Sequence, residues 1–459
     1  MPKERINLVV IGAGYVGLTT GVTFAFLGHK VSIIEKDKAK LDLLKEFKPP
    51  FYEPYLSDLM KLAKDNLYFS DKLEEVINDS QIIMIAVGTP CKENGQVDNR
   101  FIEEVALDIG QALNPLAKHM IVIKSTVPVG TNRRVSYIIN KELEKRKIKK
   151  ADNIIFASNP EFLREGQAIM DMLYPDRVVF GVTKAEDSEW LKCLYEDILY
   201  QSFPPLDFLR SSAKIKSPQL IITDPTSAEL IKYAANAFLA MKVSFINEMA
   251  GFCELLGANI NDVANGIGAD HRIGRDFLDA GIGWGGSCFP KDTAALVAMG
   301  KELGYQMRLV EATREVNYNQ RKYVVDKIQK ALKGVRGKVI GLLGLAFKPG
   351  TDDMRESPSL DVIRLLLERE AQVRVHDPLV TKDPPELLFN IGLEIFDDPY
   401  RMAVGADAIL LATAWPEYKT LNYKEILCNM RGNVFFDGRN ILDPHEMKNI
   451  GFDFKGVGF

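Results

Sequence analysis

Short apolar runs recur through the first half of the chain, at Asn7–Ile11, Lys30–Glu35, Ile82–Val87, Met120–Lys124, Ile154–Ala157 and Arg177–Gly181, and longer stretches with helical spacing separate them. That alternation predicts a parallel sheet covered by helices. It returns late in the chain at Lys338–Leu345, Gln372–His376, Ala408–Thr413 and Asn433–Phe436, so two α/β domains are expected. Between the two series, Thr226 and Glu229 have the spacing of a capping box that opens a helix running to about Leu256, with no proline inside to stop it. Leu230, Ala234, Phe238, Met241, Phe245, Phe252 and Leu256 fall on one side of this helix, and Ala235, Leu239, Val243 and Ile246 supply apolar contacts on another. Packing on more than one side places it at the junction of the domains and in a subunit interface, so a homodimer or higher assembly is expected.

Composition narrows the class. A chain of 459 residues has room for two or three domains. A net charge of −4 with no dominant Lys/Arg block argues against nucleic acid as a partner. Cys91, Cys193, Cys253, Cys288 and Cys428 are scattered without a C-x-x-C pair, which disfavours a disulfide scaffold and a zinc site. No apolar stretch reaches the roughly 18 residues of a membrane span, so no membrane is expected and a cytoplasmic location is.

Gly12, Gly14 and Gly17 form G-x-G-x-x-G between the first strand and a helix, where a pyrophosphate can approach backbone N–H groups; Tyr15 and Val16 lie in the same turn. Glu35 closes the second strand at the offset expected of a carboxylate that accepts from both ribose hydroxyls, and it would repel a 2′-phosphate, so NAD is the expected cofactor. Thr89 and Thr126 follow two further strands and are candidate cofactor contacts, although Thr-Pro sequences also simply form turns.

The run Gly281 to Asp292 ends a glycine-rich loop on Cys288 just before a helix start marked by Pro290, a setting that favours a nucleophilic thiolate. Lys232 and Asn236, at i and i+4, present two polar heads on one helix face and could clamp one oxygen. Asn159 to Gly166 brings the carboxylates of Glu161 and Glu165 after a strand, suited to proton transfer.

With these segments in order, the chain resembles the UDP-glucose/GDP-mannose dehydrogenase family over nearly its whole length, through Gly12–Leu18, Val87–Pro90, Lys124–Thr131, Asn159–Gly166, Pro175–Gly181, Ser227–Ala250, Asp270–Leu278, Gly283–Asp292 and Gly341–Pro358. The resemblance implies an α/β fold of two Rossmann-like domains with parallel sheets, joined by a long central helix and a helical middle domain. The expected bounds are 1–216 for NAD, 217–330 for the centre and 331–459 for the UDP-sugar. It implies a four-electron oxidation of the C6 alcohol of a nucleotide sugar, with UDP-glucose favoured. Cys288 is the implied nucleophile, Lys232 and Asn236 the oxyanion pair, Asp292 a carboxylate that handles water, Glu161 the general base and Thr126 the group that orients the water. Glu165, Lys291 and Arg355 are implied on the cofactor side, and Lys40 joins Glu35 near the ribose. For the sugar nucleotide it implies Glu161, Phe162, Leu163, Lys232, Asn236, Gly285, Phe289, Lys348, Arg439 and Arg272, the last from a neighbouring subunit if the family pattern holds.

Overall fold

The apolar runs form two sheets, each complete within one of two compact units that divide between Ala234 and Ala235. The computed structural model describes residues 5–92, 94–148, 153–206, 208, 217–380 and 393–459. In the first unit the strands are β1 (Asn7–Ile11), β2 (Lys30–Ile34), β3 (Leu67–Ser70), β4 (Ile82–Ile85), β5 (His119–Ile123), β6 (Ile154–Ser158), β7 (Arg177–Val182) and β8 (Gln219–Thr223). They lie in the order β3-β2-β1-β4-β5-β6-β7-β8, and all neighbours are parallel except β6 and β7, where the segment carrying the helix Ala168–Leu173 brings the chain back antiparallel.

Successive side chains of a strand point to opposite faces, and the core divides accordingly. Leu8, Val10, Ile82, Met84, Met120 and Val122 join one apolar cluster. Val9, Ile11, Ile83, Ile85, Ile121 and Ile123 join another, beneath the helices Arg100–Ala112 and Thr131–Lys145. Burial on both faces is why these strands read as unbroken apolar runs.

The second unit repeats the plan with β9 (Val339–Leu343), β10 (Gln372–His376), β11 (Glu394–Phe396), β12 (Ala408–Leu411), β13 (Val434–Asp437) and β14 (Asp453–Gly456), in the order β11-β10-β9-β12-β13-β14. The order of its first five strands corresponds to β3-β2-β1-β4-β5, so the two halves share one topology. The strands that hydrophobic patterning did not predict, β3, β8, β11 and β14, are the four sheet edges, where one flank is unpaired and burial is partial.

The predicted long helix spans Pro225–Leu256, 32 residues. Its expected capping box does not form. Asp224 caps it instead, accepting from Ser227 N at 2.9 Å and Ser227 Oγ at 2.6 Å, while the Glu229 carboxylate turns away to backbone N–H groups of Gly130 and Asn132. Its buried positions mix the polar Glu229, Lys232, Asn236, Ser244 and Asn247 with the mostly small apolar Ala228, Tyr233, Ala237, Ala240, Ile246, Ala250 and Cys253. The apolar side is the open one, with Leu230 46%, Phe238 57%, Phe245 46% and Phe252 54% exposed. Among the described residues no helix is long and apolar enough to cross a membrane. The expected domain boundary after residue 216 falls outside the described residues.

Buried His29 ties the start of β1 to the turn before β2: its Nδ1 accepts from Ile6 N at 3.1 Å, which requires a neutral ring. Burial, helped by Arg5, lowers its pKa from 6.5 to about 4. Between these values the unfolded chain binds a proton that the folded chain refuses, so stability falls as pH drops from 6.5 towards 4. Comparing wild type with His29→Gln, the wild type should lose on the order of 2 kcal/mol more than the variant between neutral and acidic pH, measured by thermal unfolding. Equal losses would exclude His29 as the source.

Candidate active site

In the first unit, Gly12 has φ +102° and Gly17 lies where a Cβ would stand 1.9 Å from Gly12 O, so the turn tolerates a side chain at neither position. Gly14 caps the helix Tyr15–Phe26 and leaves open space where its Cβ would be, and the helix supplies unsatisfied N–H groups there. Glu35 directly follows β2; its carboxylate accepts from Ala13 N at 3.1 Å and Asp37 N at 2.9 Å, which fixes it beside the glycine turn. Lys40 lies exposed on the next helix, Lys38–Lys45. These residues fit the adenosine end of a dinucleotide: a carboxylate for the ribose and a helix N-terminus for the pyrophosphate.

The second sheet has the same turn with a different outcome. Gly344 follows β9 with φ +104°, and Gly344 N donates to His376 O as Gly12 N does to Ile34 O, both at 2.8 Å. Asp377 stands after β10 as Glu35 stands after β2. It is fully buried and accepts from Leu345 N, Ala346 N, Leu379 N and Trp415 Nε1 at 2.7, 3.1, 3.0 and 3.2 Å, so no capacity is left for a ribose. The helix after β9 starts only at Pro358, whereas the one after β1 starts at Tyr15. Among the described residues, the dinucleotide cradle is found at the first sheet and not at the second.

Beyond the carboxyl ends of β5 and β6 the first unit buries a knot of charges. Glu161 and Lys232 are 5% and 4% exposed at their side chains and pair at 3.0 Å. Glu161 Oε2 also accepts from Leu163 N at 2.6 Å, and Thr126 Oγ1 donates to its Oε1 at 3.4 Å. Burial works to raise the Glu161 pKa, but Lys232, the Leu163 N–H and Lys124 outweigh it and hold the carboxyl below its ordinary range. Lys124 donates to Asn159 Oδ1 at 3.2 Å and Tyr195 OH at 3.1 Å, and burial lowers its pKa to about 8. Thr89 Oγ1 donates to Thr126 O at 2.8 Å, tying the two strand-end loops together. Phe162 takes the Arg177 guanidinium on its ring at 3.8 Å, Leu163 packs against the core, and Glu165 closes the same segment. A cavity lined by Ser125, Thr126, Ser158, Pro160, Glu229 and Lys232 opens beside this knot.

In the second unit Cys288 occupies the N-cap of the helix Phe289–Glu302 and is partly exposed, the position at which a helix dipole favours a thiolate. One turn on, Asp292 is fully buried, with Lys291 Nζ 2.5 Å from Oδ1 and Asn236 Nδ2 2.6 Å from Oδ2. The preceding loop is stitched in place: Trp284 N donates to Asn317 Oδ1 at 2.8 Å, and a Cβ on Gly285 would stand 2.0 Å from Glu356 O. Phe289 packs edge-on against Trp284, with ring centroids 6.0 Å apart. Arg439 runs inward beneath this loop, donating from Nε to Ala412 O at 2.6 Å and from Nη1 to Gly283 O at 3.1 Å; burial lowers its pKa to about 10, and its buried Nη2 has no hydrogen-bond partner among the described residues. Lys348 lies 5.4 Å over the Phe347 ring. Arg272 and Arg355 instead fold onto the aspartate two residues before each, at 2.5 Å from Asp270 and 2.6 Å from Asp353.

Sequence reasoning did not single out Lys124, Asn159, Tyr195 or the placement of Glu229. A signal existed for Lys124, a cation closing an otherwise apolar strand; the partners of Glu229 lie about a hundred residues away and carried none.

If Glu35 sets cofactor choice by charge, Glu35→Gln should raise kcat/KM for NADP relative to NAD by about tenfold, the effect of ~1.4 kcal/mol of relieved repulsion. Comparable kcat/KM for the two cofactors in the unchanged protein would contradict the assignment.

Comparison with known proteins bears on all of these segments. The NAD binding, central and UDP binding domains of the UDP-glucose/GDP-mannose dehydrogenase family match residues 6–199, 226–319 and 341–444. A UDP-glucose 6-dehydrogenase of Pseudomonas aeruginosa is 40% identical, covering 99% of this chain and 97% of that protein. The UDP-glucose 6-dehydrogenase TuaD of Bacillus subtilis is 41% identical, covering 98% and 93%. The structure of a UDP-glucose dehydrogenase from Pyrobaculum islandicum superposes with a TM-score of 0.86 at 35% identity, covering 100% of this chain and 99% of that one. The chain is therefore a member of the UDP-glucose/GDP-mannose dehydrogenase family, and its cofactor is NAD.

Proposed function

We propose that the chain oxidises the C6 alcohol of UDP-glucose to the carboxylate of UDP-glucuronate. Each sugar would give up two hydrides and one proton, and one water would supply an oxygen and release its two protons. The single observation that carries this reading is Cys288 at a helix N-cap, one turn from a buried carboxylate whose two oxygens are held by Lys291 and Asn236. A simple alcohol dehydrogenase has no need of a nucleophile there.

Gly12, Gly14, Tyr15, Val16, Gly17 and Glu35, with Lys40, Thr89, Glu165, Lys291 and Arg355 as further contacts, would hold NAD, which would supply the two-electron acceptor for each oxidation. The Cys288 thiolate adds to the C6 aldehyde, forming a carbon–sulfur bond and an alkoxide; Lys232 and Asn236, one turn apart on the long helix, stabilise that charge. The second oxidation leaves a thioester on Cys288. Water then attacks the acyl carbon, the carbon–sulfur bond breaks, and the thiolate leaves. Glu161, kept ionised beside Lys232, takes the water's proton, with Thr126 orienting the water. Asp292 handles protons at the Cys288 side. Retention on sulfur keeps the reactive aldehyde from release.

Phe162, Leu163, Gly285, Phe289, Lys348, Arg272 and Arg439 are the proposed contacts of the UDP-sugar. The buried Nη2 of Arg439, without a partner among the described residues, supports a diphosphate there, because an orphan guanidinium donor costs stability unless a ligand satisfies it. The three matched family segments support a division into 1–216, 217–330 and 331–459. The open apolar face of the long helix supports a homodimer or higher assembly, and five free cysteines support a reducing, cytoplasmic location.

The reading is tested by counting NADH per UDP-glucose and weighing the product: two NADH and the uronate are expected, and one NADH with an aldehyde would overturn it. Cys288→Ala should lower four-electron turnover at least about a thousandfold while NAD still binds. Full turnover in that variant would make the cysteine merely structural. Light scattering at working concentration should give at least twice the chain mass; a monomer would refute the assembly.

A further inference from the structure

Glu229 begins the second turn of the long helix with 4% of its surface exposed, and both of its oxygens accept from a distant segment: Oε2 from Gly130 N at 2.6 Å and Oε1 from Asn132 N at 2.8 Å. Those N–H groups open the helix Thr131–Lys145, whose own N-cap, Gly130, offers no side-chain acceptor. A serine or aspartate at that position would have capped the helix locally. The cap comes instead from the element that carries Lys232, three residues further on and on the same helical face.

The same carboxylate reaches a third segment. Asn132 Nδ2 donates to Ser158 Oγ at 3.2 Å, and Ser158 ends β6, three residues before Glu161. Glu229 thus connects the loop bearing Thr126, the strand end bearing Glu161 and the helix bearing Lys232, and it lines the same cavity as Thr126 and Lys232. Holding a negative charge here is unfavourable: burial raises the pKa of Glu229 to about 7 against the pull of both N–H groups and Arg133.

We infer that Glu229 is a positioning residue for the oxidation: it sets where Lys232 stands relative to Glu161 and Thr126 by clamping the long helix to the start of the helix Thr131–Lys145. Both of its oxygens are already engaged by backbone N–H groups. Its loss acts through Lys232, on the chemical steps, and leaves the glycine turn and Glu35 unaltered. The inference rests on the function proposed above.

The test is a double-mutant cycle between Glu229→Gln and Lys232→Ala, read as single-turnover rates at high enzyme concentration, with KM for NAD and the melting temperature measured alongside. Glutamine keeps the shape and one acceptor but turns an N–H₂ towards the second backbone N–H. In the wild-type background the rate should fall by roughly tenfold or more, with KM for NAD within about twofold; in the Lys232→Ala background the further fall should be under about twofold, since residues acting as a unit are not additive. Ser158→Ala cuts the same connection without touching a buried charge, and should show a smaller fall with the same non-additivity. It decides the matter if Glu229→Gln does not fold. A lower melting temperature with unchanged rate per folded chain, or equal falls in both backgrounds, overturns the inference. Two NADH per UDP-glucose in the wild type with additive falls sinks the inference alone; one NADH with non-additive falls sinks the proposed reaction and leaves the coupling standing.

Discussion

The Lys232–Glu161 ion pair is the constraint to which the first unit is built. Both side chains are almost wholly out of water. Removing one partner of such a pair typically costs about 3–5 kcal/mol because it strands a buried charge, whereas an apolar pair of similar volume would serve stability as well or better. Stability alone therefore does not account for the pair. Around it lie Thr126, the Leu163 N–H and Lys124, which orient or compensate Glu161, while Asn159 and Tyr195 hold Lys124 in place. The net effect is a carboxylate that stays ionised beside Lys232 within a low-dielectric setting, where electrostatic contributions to a reaction are largest.

The two sheets show how one topology takes two roles. Each has a glycine of positive φ after its first strand and a carboxylate after its second. In the first unit a helix begins at once and Glu35 keeps exposed surface. In the second, Asp377 is consumed by backbone and indole donors, and a loop separates β9 from its helix. A few residues at a strand end, with no change of strand order, decide which half takes the dinucleotide. This agrees with the rule that ligands of open α/β sheets are read by the loops at carboxyl strand ends.

Much of this was legible in the sequence, for definite physical reasons. Central strands buried on both faces must be continuously apolar, so β1, β4, β5, β9 and β12 announce themselves; the edge strands β3, β8, β11 and β14 are half exposed and do not. The glycine turn, Glu35 and the Cys288 loop are legible because backbone geometry and chemistry restrict what can stand there. Glu229 was misread as a local cap because its partners, Gly130 and Asn132, are neighbours only in the fold. The four Asp-x-Arg sequences ending at Arg100, Arg272, Arg355 and Arg439 look alike, yet three guanidinium groups fold back onto their own aspartate while Arg439 turns inward to Ala412 O and Gly283 O. Spacing does not distinguish them; packing does.

The central proposal is that Glu161, paired with Lys232, removes the proton from the water that would release the product from Cys288. Its most direct measurement is the mass of the intact Glu161→Gln chain, quenched during reaction with UDP-glucose and NAD. Glutamine retains the shape but takes no proton, so oxidation should outrun hydrolysis. The account predicts a uronyl nucleotide adduct on Cys288 that accumulates within the first turnover and persists. A variant that releases uronate at the wild-type rate with no adduct on Cys288 would contradict it.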